Sequence, residues 1–253
     1  MRRKDRGSHR ISRPVLHSVQ VSVRNIVFFV LASGFTGLLV SAALMVIDGN
    51  LANLPPLAGD DVSSMAADSS GQSAFLLQDM LPRAAFLLAW CAATGLFEEL
   101  LFRGITVLCL AQAFEGSDAG KADSMRRAAF ASAIIFALLH ISTGDTALAH
   151  GLSAGVVAAA LLKGCQAFLF GFSMAALLVA RRSVWVPVLV HICFDVVYFA
   201  VPVLLAGALP DAYLSESVGN IVLLTLTTAL LVPPFAYALR FFRAREISGE
   251  HGE

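Results

Sequence analysis

Long apolar runs separated by short polar stretches dominate the chain. They lie at 26–47, 81–113, 128–141, 156–180, 184–205 and 218–239. A membrane-spanning helix needs about 20 predominantly apolar residues. The pattern therefore predicts an all-α fold, a polytopic transmembrane helix bundle of about six spans. A Gly- and Ala-rich apolar stretch, 147–162, is left over and reads as a partly embedded or re-entrant segment. The run at 26–47 exceeds the roughly 7–15-residue core of a cleavable signal peptide and lacks a clear small-residue cleavage site. It reads as an anchor that stays. Pro233 and Pro234 are expected to kink the last span.

This reading divides the chain into five parts. Residues 1–24 form a basic cytoplasmic tail, 25–47 an anchor helix, and 48–80 an acidic extracytoplasmic loop. Residues 81–205 form the membrane domain that carries the chemistry, and 206–253 the last span and a cytoplasmic tail. No internal repeat is evident, which argues against an inverted-repeat transporter.

Composition agrees with a membrane protein. Of 253 residues, 57% are hydrophobic and 14% charged, where soluble domains carry about 25% charged residues. Mean hydropathy is +0.75. The formal net charge is zero, and no basic face is built, so nucleic acid is not an expected partner. Cys91, Cys109, Cys165 and Cys193 show no metal-ligand spacing and are expected to be small buried apolar residues without a disulfide.

The cations set the topology. With the first residues inside, the cytoplasmic pieces hold seven N-terminal cations, Lys121, Arg126, Arg127, Arg181, Arg182, Arg240, Arg243 and Arg245. Arg83 and Lys163 fall outside, and Arg103 lies in the membrane. This distribution predicts an integral protein of a bacterial plasma membrane with both termini cytoplasmic.

Six ionisable residues sit deep in apolar surroundings: Glu98, Glu99, Arg103, His140, His191 and Asp195. A charge at mid-bilayer costs about 2.5–3.5 kcal/mol on insertion scales. Gathering all six in one internal, hydrated pocket is the economical solution. Glu99 and Arg103, four apart, share a helix face and can form an ion pair, as can His191 and Asp195. Glu98 is turned about 100° from Glu99 and can face a different neighbour. At about 1.5 Å rise per residue, the expected depths of Glu98, His140, His191 and Asp195 overlap. Phe97, Phe102, Phe136 and Phe194 read as packing around such a pocket. Gly95, Gly104, Gly155 and Gly171 read as sites of close helix approach. His150 reads as non-catalytic.

Three motifs, Glu98-Glu99-x-x-x-Arg103, Phe136-x-x-x-His140 and His191-x-x-x-Asp195, follow one another on separate expected membrane helices. In that order they resemble the CAAX protease and bacteriocin-processing (CPBP, or Abi) family of intramembrane proteases. The approach to the last motif, from Phe168 through Trp185 to His191, is also similar, and the resemblance runs from about Arg83 to Val197. It implies endopeptidase activity within the membrane, on a membrane-anchored peptide or protein with a lipidated or hydrophobic terminus. That family often has Asn where this chain has Asp195.

For peptide hydrolysis the residues offer a general base, Glu98, with His140 sharing the water and His191 binding metal or donating to the oxyanion. Glu99 and Arg103 would support Glu98 from behind. Asp195 would orient His191, be protonated in an apolar site, or ligate a metal. Two histidines plus carboxylates, Glu98, His140, His191 and Asp195, suit a divalent ion such as zinc with an open position for water. Two other functions use the same residues: a proton- or ion-coupled transporter, or a non-proteolytic, immunity-type membrane protein. The sequence leaves the oligomeric state open.

Overall fold

The structure, a computed structural model, describes residues 13–47, 69–115, 121–141, 153–205 and 217–250. Within these, all regular structure is helical. The elements are α1 (Arg13–Ile47), α2 (Ser69–Glu99), a π-helical segment (Leu100–Thr106), α3 (Val107–Glu115), α4 (Lys121–His140), α5 (Ala154–Arg181), α6 (Trp185–Leu204) and α7 (Val218–Glu250).

Among the described residues, five stretches are long and apolar enough to cross a membrane: Ser22–Ile47, Met80–Glu115, Ala154–Arg181, Trp185–Leu204 and Val218–Arg245. The expected sixth, α4, is helical and packs in the bundle, but its first turns are charged. Asp123 takes Arg126 at 2.8 Å and Arg127 at 2.6 Å. Only 128–140 of α4 is apolar, about 20 Å at 1.5 Å per residue.

The helices close into a ring. α1 packs between α7 and α6, α6 against α2, α3 against α4, α4 against α5, and α5 against α7. α5 is buried on all sides along 170–177, which makes it the central helix of that half. Its start is capped by Ser153, whose hydroxyl accepts the Val156 N–H at 3.2 Å. At its end Arg182 adopts a left-handed conformation (φ 53°) and its N–H returns to the Leu178 carbonyl at 2.7 Å. That terminal turn lets α6 begin at Trp185.

The helices extend beyond the apolar runs that mark them in the sequence. α1 starts at Arg13, inside the stretch read as tail, and α2 starts at Ser69, inside the stretch read as acidic loop. Residues 154–162 are the first turns of α5, not a re-entrant segment, while 142–152, with His150, lie outside the described residues. α7 runs through Pro233 and Pro234 as one helix. Only Cys91 is buried. Cys109, Cys165 and Cys193 lie on the outer face of an apolar bundle, where a thiol meets lipid as readily as protein.

Candidate active site

The polar residues converge because three helices present them at the same level. Glu98 and Glu99 end α2, His140 ends α4, and His191 and Asp195 lie mid-way along α6. Gly95 brings α2 and α6 together. A Cβ there would stand 2.8 Å from the Ile192 side chain and 3.3 Å from its backbone nitrogen. Gly171 does the same for α5, facing the Arg103 guanidinium and the Phe136 ring at 3.2 Å each. Gly104 makes no such approach to another helix.

A cavity of about 290 Å³ lies between α2, α4, α5 and α6. Glu98, His140, His191 and Asp195 all line it. Glu99 and Arg103 do not; they lie behind it, 0% and 1% exposed.

His191 is the hub. Its Nδ1 donates to Glu99 Oε1 at 2.8 Å, since a carboxylate oxygen only accepts. That bond turns Nε2 toward Asp195 Oδ2 at 3.4 Å and Glu98 Oε2 at 3.7 Å. Phe170 packs its ring edge-on against the imidazole, centroids 4.7 Å apart. His140 is fixed differently. Its Nδ1 donates to the Phe136 carbonyl at 2.8 Å. A neutral imidazole committed in that way keeps Nε2 as an acceptor.

The expected Glu99–Arg103 ion pair is present, at 3.1 Å. It is a charge contact more than an aligned hydrogen bond, because the Arg103 terminal nitrogens and Glu99 Oε2 have no hydrogen-bond partner. The guanidinium instead stacks 4.4 Å from the Phe136 ring centroid, a cation–π contact that suits a buried arginine. The same Phe136 offers its carbonyl to His140, so Arg103 and His140 are held by one residue. The turn between α2 and α3 is π-helical, with Val107 N–H bonded to the Phe102 carbonyl and Thr106 Oγ1 donating to Leu101 O at 2.9 Å. Such wider turns concentrate at functional sites.

Lys163, Gln166 and Tyr198 are among the cavity residues that were not anticipated. Lys163, expected outside the membrane, is buried in α5 and lines the cavity. Its Nζ donates to Gln166 Oε1 at 3.0 Å, and Gln166 Nε2 donates to Thr227 Oγ1 of α7 at 2.7 Å. Tyr198 lies beside them, its ring centroid 5.9 Å from Nζ. The signal was the i, i+3 spacing of Lys163 and Gln166 within an apolar run; treating 147–162 as a separate segment put Lys163 at a span edge. Phe136 and Phe194 line the cavity and Phe102 is buried, but Phe97 is 67% exposed and faces away from it.

The donor types suit a divalent ion, yet among the described residues no group of three or more His, Cys, Asp or Glu side chains is gathered closely enough to hold one. His191 commits Nδ1 to Glu99 and His140 commits Nδ1 to the Phe136 carbonyl, so each keeps Nε2 toward the cavity.

Residues 80–197, just under half of the chain, match the family described as Type II CAAX prenyl endopeptidase Rce1-like. The match bears out the resemblance read from the three motifs and spans all of them. At the level of family it supports a CAAX-type endopeptidase working within the membrane. No curated protein and no solved structure matches the chain.

Proposed function

We propose that this chain is an integral-membrane endopeptidase that hydrolyses a peptide bond next to a membrane anchor or a lipidated or hydrophobic terminus. The observation that carries the reading is the meeting of Glu98, His140, His191 and Asp195 on one cavity inside an apolar helical bundle. Burying that set without a use would cost several kcal/mol.

Water in the cavity donates one proton to Glu98 and the other hydrogen bond to His140 Nε2. Its lone pair then faces the carbonyl carbon. Attack moves the carbonyl π electrons onto oxygen. As the tetrahedral intermediate collapses, the C–N bond breaks and the amine takes the proton that Glu98 received. His191 Nε2, between Glu98 and Asp195, can pass that proton across the site. Glu99 fixes the His191 ring, and Arg103 balances the Glu99 charge. The bilayer orients the substrate by its anchor, and the basic ends of the helices set the cytoplasmic side.

The test is cleavage of an internally quenched, prenylated CAAX peptide by the full chain in lipid nanodiscs. Glu98→Gln is expected to insert normally and to lose cleavage. Retained cleavage would take the role of activating water from Glu98, and no cleavage by the unaltered chain, or ion-coupled uptake in proteoliposomes that depends on Glu98, would overturn the reading.

A further inference from the structure

Among the described residues, the titratable groups that would handle water face the cavity mostly as acceptors. Glu98 and Asp195 as carboxylates only accept. His140 has spent its N–H on the Phe136 carbonyl, and His191 has spent Nδ1–H on Glu99. The Gln166 amide donates to Thr227, and the Tyr198 hydroxyl interacts with Gln166 and Thr227. Thr94, on α2 one turn before Glu98, and Trp90, 47% exposed, bring neutral donors to the lining, and neither carries a charge. Yet a developing oxyanion needs a fixed donor, and in a water-poor site that is often the largest single contribution to rate.

We propose that Lys163 is that donor: its ammonium points an N–H at the oxygen that becomes negative as water attacks. This assignment deepens the endopeptidase reading and rests on it. Lys163 is the one Lys or Arg among the described residues that line the cavity. It interacts electrostatically with Glu98, Asp195 and His140, so it belongs to the same cluster of charges as the groups that would handle water. Its position is built. Gln166 accepts from Nζ at 3.0 Å and is itself anchored 2.7 Å from Thr227, whose hydroxyl donates to the Leu223 carbonyl at 2.8 Å. An ammonium carries three N–H donors, so one bond to Gln166 aims the head without exhausting it. The proton balance is unaffected, because Lys163 donates a hydrogen bond and transfers nothing. It also supplies at this site the donation that an ionised Asp195 cannot make.

The same quenched prenylated CAAX peptide and full chain in nanodiscs give the test. Lys163→Met is expected to fold and insert, to keep KM within about threefold, and to lose about 10²–10³-fold in kcat, the loss typical of one oxyanion donor. Glu98→Gln is run beside it. If cleavage depends on Glu98 while folded Lys163→Met turns over at the unaltered rate, the Lys163 assignment falls and the endopeptidase reading stands. If the unaltered chain shows no cleavage, both fall. Should Lys163→Met fail to insert, the double variant Lys163→Met/Asp195→Leu removes one charge of each sign without adding a donor and is compared with Asp195→Leu alone. A further loss of at least about tenfold in kcat supports the oxyanion role, and equal rates overturn it. Lys163→Cys treated with 2-bromoethylamine rebuilds a near-lysine side chain and is expected to recover turnover that untreated protein lacks; no recovery counts against the assignment.

Discussion

His191 Nδ1 and Glu99 Oε1 lie 2.8 Å apart across the α2–α6 interface, joining residues far apart in sequence. The bond does two things at once. It fixes the tautomer and orientation of the histidine, and it gives the most buried carboxylate of the site a donor. Asp195 and Glu98 then meet the opposite ring nitrogen.

Glu99→Gln is expected to destabilise the fold more than it disturbs binding. It leaves Arg103 as a buried charge without its counter-ion, and breaking such a pair costs about 3–5 kcal/mol. Thermal unfolding in detergent should show a lowered midpoint. An unchanged midpoint would mean that Arg103 draws its support from Phe136 alone.

His140→Ala should separate activity from stability. His140 ends its helix and is half-buried, so the fold is expected to lose no more than about 1 kcal/mol. Cleavage of the quenched peptide should fall by about 10²-fold or more, the range for losing a group that handles the water. Comparable losses in folding and in cleavage would assign it a packing role.

Asp195→Asn is expected to keep cleavage within about tenfold, or to raise it. The amide can still meet His191 Nε2 and adds a donor to the cavity. A loss beyond about 100-fold in kcat would mean that the carboxylate charge itself is required.

Gly95→Ala tests how closely α2 must approach α6. The new methyl would stand 2.8 Å from Ile192, so one helix must shift. Overpacking of this kind costs about 1–3 kcal/mol. The Glu98–His191 separation, 3.7 Å here, should widen and kcat should drop with it. Full activity at a lowered unfolding midpoint would show that the site absorbs the shift.

How much of this was legible in the sequence depended on the kind of signal. Glu98, His140, His191 and Asp195 stood out because a charge or imidazole within an apolar run has few places to go but inward. The Glu99–Arg103 pair followed from i, i+4 spacing alone. Lys163 carried the same signal and was misplaced, because the Gly- and Ala-rich turns ahead of it looked like a break when they begin one continuous helix. Phe97 was assigned to the pocket by its closeness to Glu98 in sequence, yet one step along a helix is a large rotation. The π-helical turn leaves no trace in hydrophobic periodicity, since it changes hydrogen-bond register and not residue type.

That turn has a bearing on how the protein can vary. A stretch bonded to the fifth residue back holds one residue more than an α-helix would in the same axial distance. Shortening 100–106 by a single position would let the coil tighten and would rotate everything beyond it, including the face that α3 offers α4. Chain length here is therefore as restricted as residue identity, and natural variants should change letters in this stretch far more readily than they change its number of letters.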